Sequence, residues 1–87
     1  MPENHDERRR RLIHRSRYTG MKETDLVLGQ FAARYVPGFT PEQLDRYEQL
    51  LAAGDPTIYD WVTGTTKVPP AYDNDVTALL INFKISV

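Results

Sequence analysis

The chain has 87 residues, no cysteine, and eleven Lys or Arg against twelve Asp or Glu. That length supports one hydrophobic core, and without thiols there are no disulfide staples, thiolate metal clusters or Cys nucleophiles. The net charge of −1 hides a split: residues 1–22 hold seven basic groups against three acidic, and residues 23–87 hold four against nine.

Hydrophobic residues make up 40% and charged residues 26%, a globular balance, and no run approaches the roughly 20 apolar residues of a membrane span. The charged start, from Met1 to Ile13, has no apolar segment behind it, so a secretory signal is not expected. Acids among the arginines also argue against a transit peptide. A reducing compartment, the cytoplasm, is the expectation.

Apolar residues recur at helical spacing. A first helix is expected over residues 6–17, with residues 1–7 flexible at its start. Only Leu12 and Ile13 are apolar there, so it should pack loosely by one edge and expose its arginines. A second helix over 21–36 carries Met21, Leu28, Phe31, Ala32 and Tyr35 on one stripe, widened by Leu26 and Val27, and stops at the breaker pair Pro37-Gly38. Thr40-Pro41-Glu42-Gln43 then combines an N-cap, a first-turn proline and a capping-box partner. The third helix, 40–53, turns Leu44, Tyr47, Leu50 and Leu51 inward and ends at Gly54. Asp55-Pro56 starts a fourth over 55–63, with Ile58, Trp61 and Val62 inward. A fifth over 71–84 carries Val76, Leu79, Leu80 and Phe83. The expected fold is an all-α, compact five-helix, bundle-like single domain.

Enzymatic parts are scarce. His5 and His14 lie in the polar N-terminal arm without carboxylate or hydroxyl partners placed for general base work. The five glycines are dispersed and form no phosphate-cradling loop. Asp73 and Asp75 lack the rest of a calcium loop and read better as dipole complement at a helix start. No catalytic residue and no metal site are assigned. The four consecutive arginines Arg8 to Arg11 point around a helix, which suits diffuse contact with phosphate or an acidic protein surface. Nucleic acid binding is the alternative reading, weakened by Glu42, Asp45 and Glu48 on the helix that a helix-turn-helix would place in the groove.

The junction Tyr18-Thr19-Gly20-Met21-Lys22-Glu23 supports two readings. Gly20 suits a positive φ and Glu23 could cap the second helix, which is purely structural. A protruding turn flanked by a carboxylate and cations also makes a compact protein-docking surface. Spacing alone leaves both open. Tyr59 and Asp60 point away from the Trp61 stripe and are candidate surface contacts.

Ser16-Arg17-Tyr18-Thr19-Gly20-Met21-Lys22-Glu23-Thr24-Asp25-Leu26-Val27-Leu28 resembles the signature stretch of the succinate dehydrogenase flavinylation factors, or FAD assembly factors, small five-helix proteins sharing an Arg-Gly-x-x-Glu motif. The likeness continues through Phe31-Ala32, Leu44 to Leu51 and Ile58-Tyr59-Asp60-Trp61 to Phe83. It implies an assembly chaperone, not an enzyme, that binds the flavoprotein subunit of succinate dehydrogenase or fumarate reductase. There it would promote covalent attachment of FAD, which belongs to the partner and is not stably held. Gly20 and Glu23 match the motif; Thr19 stands where the motif has arginine, and Arg17 is the nearest other cation. The implied partner-binding set is Arg17, Thr19, Gly20, Met21, Glu23, Tyr59 and Asp60.

Overall fold

Three of the helices start where a side chain supplies an acceptor for an unpaired N–H group. The computed structural model describes residues 4–18, 20 and 22–83. Helix α1, His5–Ser16, is capped by Asn4, whose side chain accepts the Glu7 N–H at 2.7 Å. Asp6 and Glu7 in its first turn and His14 and Arg15 in its last complement the helix dipole. Of the residues 1–7 expected to be flexible, Asn4 is the cap and residues 5–7 are the first turn of this helix, and residues 1–3 lie outside the described residues.

Helix α2, Lys22–Tyr35, runs into a 3₁₀ turn at Val36–Gly38. Helix α3, Pro41–Ala52, carries the expected capping box in full: the Gln43 N–H donates to Thr40 Oγ1 at 3.2 Å, and the Thr40 N–H donates to Gln43 Oε1 at 3.0 Å. Helix α4, Asp55–Thr63, stops at Gly64, which turns left-handed at φ +78°.

The last helix is shorter than the expected 71–84. Pro70–Tyr72 form a 3₁₀ turn, and α5 spans Asp75–Asn82. Asn74 explains the late start: it is extended, and its side chain accepts the Thr77 N–H at 3.1 Å. Phe83 is extended again and ends the helix. Among the described residues there are five α-helices and no strand.

The helices close on one core containing Leu12, Leu28, Phe31, Val36, Phe39, Leu44, Tyr47, Leu50, Ile58, Trp61, Val76 and Leu80. Phe31 is its aromatic centre, with ring centroids of Tyr35 at 5.1 Å, Tyr47 at 5.7 Å and Phe83 at 5.7 Å. Trp61 is buried against Tyr72, as the stripe required. The radius of gyration, 12.2 Å, matches the roughly 12 Å of a compact domain of this length.

Two expectations fail instructively. Leu26 does not widen the α2 stripe but is 54% exposed. Helix α1 does not pack loosely: Leu12 and Ser16 have no exposed surface, and burying one leucine contributes about 1.5–3 kcal/mol. Arg8 and Arg11 then bind α3, with Arg8 to Asp45 at 2.7 Å and to Glu48 at 3.0 Å, and Arg11 to Glu48 at 3.1 Å. The opposite fields of the two chain segments meet inside the fold.

Candidate docking surface

The junction of α1 and α2 is held from behind by a buried polar link. Ser16 Oγ donates to the Leu12 carbonyl at 2.7 Å and also meets the Tyr47 hydroxyl of α3. Burial raises the Tyr47 pKa above the ordinary phenol value, so the hydroxyl stays protonated and available as a donor. With Ser16 fixed, Arg17 closes α1 as its C-cap, its N–H donating to the His14 carbonyl at 3.1 Å.

Gly20 then turns the chain at φ +110°, a conformation that side chains rarely adopt. Space is short there too. A Cβ on Gly20 would stand 3.1 Å from Asp55 Oδ2, so the first residue of α4 lies against the turn. Thr19 and Met21, both in the expected docking set, lie outside the described residues. Helix α2 begins at Lys22, which puts Glu23 at its second helical position. Glu23 is exposed in this first turn, where a carboxylate complements the helix dipole.

Tyr59 is half-buried one turn beyond Asp55 on the same face of α4, about 6 Å along the helix axis. The structure therefore brings the α4 start and the face bearing Tyr59 to the Gly20 side. Asp60 is rotated off that face. Its carbonyl caps the helix end, accepting the Thr65 N–H at 2.8 Å.

Around the turn the surface carries large exposed groups. Tyr18 is 71% exposed and stacks at 4.8 Å on His14, and Leu26 emerges one turn along α2 from Glu23. Sequence spacing missed Asp55, read only as a helix start, and Leu26, read as core. Two open depressions of about 360 and 410 Å³ lie elsewhere, along α1, and none of the expected docking residues lines them.

The electrostatics answer the question posed by the arginine run. Arg9 donates to the Phe39 carbonyl at 2.8 Å and pairs with Asp6 at 3.0 Å, while Arg8 and Arg11 are held by α3. Burial works against ionisation of Glu48, but hydrogen bonds from Arg11 and Arg8 outweigh it and hold the carboxyl below its ordinary range. Hydrogen bonding to Asp45 raises the Arg8 pKa. A phosphate backbone approaching Arg8 or Arg11 would meet Asp45 and Glu48 as well, which weakens the nucleic acid reading. Among the described residues no group of three or more His, Asp or Glu could hold a metal ion, and no helix is long and apolar enough to cross a membrane.

Residues 10–84 match the family described as the flavinator of succinate dehydrogenase. The chain belongs to this family. It is 48% identical over 71 residues to succinate dehydrogenase assembly factor 2, mitochondrial, of Kluyveromyces lactis, covering 82% of this chain and 44% of that protein. The corresponding factor 2-A of Drosophila mojavensis is 44% identical over 75 residues, covering 84% of this chain and 48% of the relative. Succinate dehydrogenase assembly factor 2, mitochondrial, of Debaryomyces hansenii is 45% identical over 71 residues, covering 82% of this chain and 50% of that protein. The chain thus spans about half the length of the curated relatives it matches. Within the flavinator family the resemblance at Gly20 and Glu23 falls on the turn described above, with Thr19 in the place of the motif arginine.

Proposed function

We propose that this chain is an assembly factor that binds the flavoprotein subunit of succinate dehydrogenase, or of fumarate reductase, and promotes covalent attachment of FAD to it. The match of residues 10–84 to the flavinator family carries the reading. The setting of the Gly20 turn agrees with it: an exposed turn with Tyr18 and Glu23 exposed to either side in the chain and Asp55 against it suits contact with another protein better than enclosure of a small molecule.

The chemistry needs no catalytic residue from this chain. The flavin ring is itself electrophilic, and a bound helper need only hold the partner's domains so that its histidine and flavin meet in reactive geometry. In this reading FAD stays with the partner, the chain is not an enzyme, and it works where the flavoprotein matures, the cytoplasm of a bacterium or the mitochondrial matrix.

Co-expression with the cognate flavoprotein subunit tests this. The fraction of subunit carrying acid-stable flavin, read by in-gel fluorescence, should rise severalfold, and the two proteins should co-elute on a sizing column. No rise and no complex would refute the proposal.

A further inference from the structure

Gly29 sits in the middle of α2, where glycine weakens a helix relative to alanine. The fold shows what occupies the space. A Cβ on Gly29 would stand 3.3 Å from Cγ of Arg17, so the stem of the α1 C-cap residue lies across α2 where the helix has no side chain. The guanidinium carbon is three bonds beyond that Cγ, on a side chain that is exposed.

Arg8, Arg9 and Arg11 are engaged by carboxylates or a carbonyl within the fold, whereas Arg15 and Arg17 are exposed and make no ion pair among the described residues. Arg17 is set apart from Arg15 by its stem, which is seated against Gly29. Its surroundings are those of a binding hot spot. Tyr18 follows it in the chain with 71% of its surface exposed, and Leu26, 54% exposed, lies one helical turn from Gly29 with Glu23 a turn further. A guanidinium bordered by exposed aromatic and aliphatic groups becomes desolvated when a partner covers them. Its rigid fork then pairs best with a carboxylate.

We propose that Arg17, seated over Gly29, is the cationic anchor of the docking surface and grips a carboxylate of the flavoprotein partner. It would supply from the α1 C-cap the positive charge that Thr19 cannot. The proposal rests on the function proposed above and adds the residue that makes the contact and the glycine that positions it.

The test uses the full chain and the purified flavoprotein subunit lacking covalent flavin, with affinity measured by calorimetry at low and moderate salt. Arg17→Ala should weaken binding about tenfold or more and reduce its salt dependence, whereas Arg15→Ala, an equal loss of charge one turn-fraction away, should change it less than about threefold. Arg17→Lys should recover only part, because an ammonium has no fork. Gly29→Ala separates positioning from folding: its melting temperature should rise as helix propensity improves, while its affinity falls because the Arg17 stem is displaced. Equal effects of Arg17→Ala and Arg15→Ala, or unchanged affinity in Gly29→Ala, would overturn the proposal alone. No binding by the unaltered chain would overturn the proposed function and this inference with it.

Discussion

Removing one hydroxyl from the Ser16–Tyr47 link should matter far more on one side than on the other. Ser16 Oγ has a single proton, given to the Leu12 carbonyl at 2.7 Å, so the Tyr47 hydroxyl must donate to Ser16. Both residues are fully buried. Tyr47→Phe removes a donor and leaves the Ser16 proton satisfied, at a cost of about 0.5–1.5 kcal/mol. Ser16→Ala strands the Tyr47 hydroxyl in the core, at about 1–3 kcal/mol. Adding Tyr47→Phe to Ser16→Ala removes the stranded group, so the double variant should be no less stable than Ser16→Ala alone. Denaturant unfolding gives the four free energies of the cycle; each kcal/mol corresponds to roughly 4–8 °C in melting temperature for a domain of this size. Additive losses, or a larger cost for Tyr47→Phe than for Ser16→Ala, would refute the assigned direction of the hydrogen bonds. The same burial sets an alkaline signature. The folded pKa of Tyr47 is raised above that of the unfolded chain, so the native state holds the proton more tightly. That stability is fully present below about pH 10 and is lost as pH rises further. Tyr47→Phe should flatten this limb.

Three further outcomes follow. The carboxyls of Glu48 and Asp75 titrate below their ordinary range, Glu48 by its arginine hydrogen bonds overcoming burial and Asp75 first by a hydrogen bond from Gln43, so their contribution is present above about pH 4 and lost as pH falls through the folded values. Glu48→Gln should therefore flatten the acid limb of a stability–pH profile and cost no more than about 1 kcal/mol at neutral pH, its partners being partly solvated. Gly20→Ala forces a side chain into φ +110° beside Asp55; strain of about 1–3 kcal/mol, less about 0.4–1 kcal/mol gained through the unfolded chain, should lower the melting temperature by several degrees in calorimetry. Thr19→Arg restores the motif arginine at position 19, and flavin incorporation on co-expression should increase; a decrease would count against docking at this turn.

Much of the fold was legible because helix ends are local chemistry. Thr40 and Gln43 identify the α3 start from their own side chains, Pro41 fits the first turn for lack of an N–H, and Gly64 marks an end that needs a left-handed residue. Tyr47, Trp61 and Phe31 were assigned to the core by periodicity alone, and burial agrees. Periodicity failed where few apolar residues bear on the decision. Helix α1 offers only Leu12 and Ile13, yet Leu12 and Ser16 are fully buried and Arg8 and Arg11 add pairings with Asp45 and Glu48 about forty residues away, which no local pattern encodes. Leu26 looked like core because it lies beside the stripe, and the angle at which α2 packs leaves it outside.

The sequence by itself determined five helices, the capped start of the third, a single core and the resemblance at Gly20 and Glu23, since each depends on neighbours within a few residues. Only the tertiary structure decided where the charges went and what surrounds the motif. The arginine run became an α1–α3 clasp, Asp55 came to rest on the Gly20 turn, and Gly29 proved to be the seat of Arg17. The physical reason is range. Caps and periodicity act over one helical turn, whereas ion pairing and steric fit act between surfaces that meet only when the helices have packed.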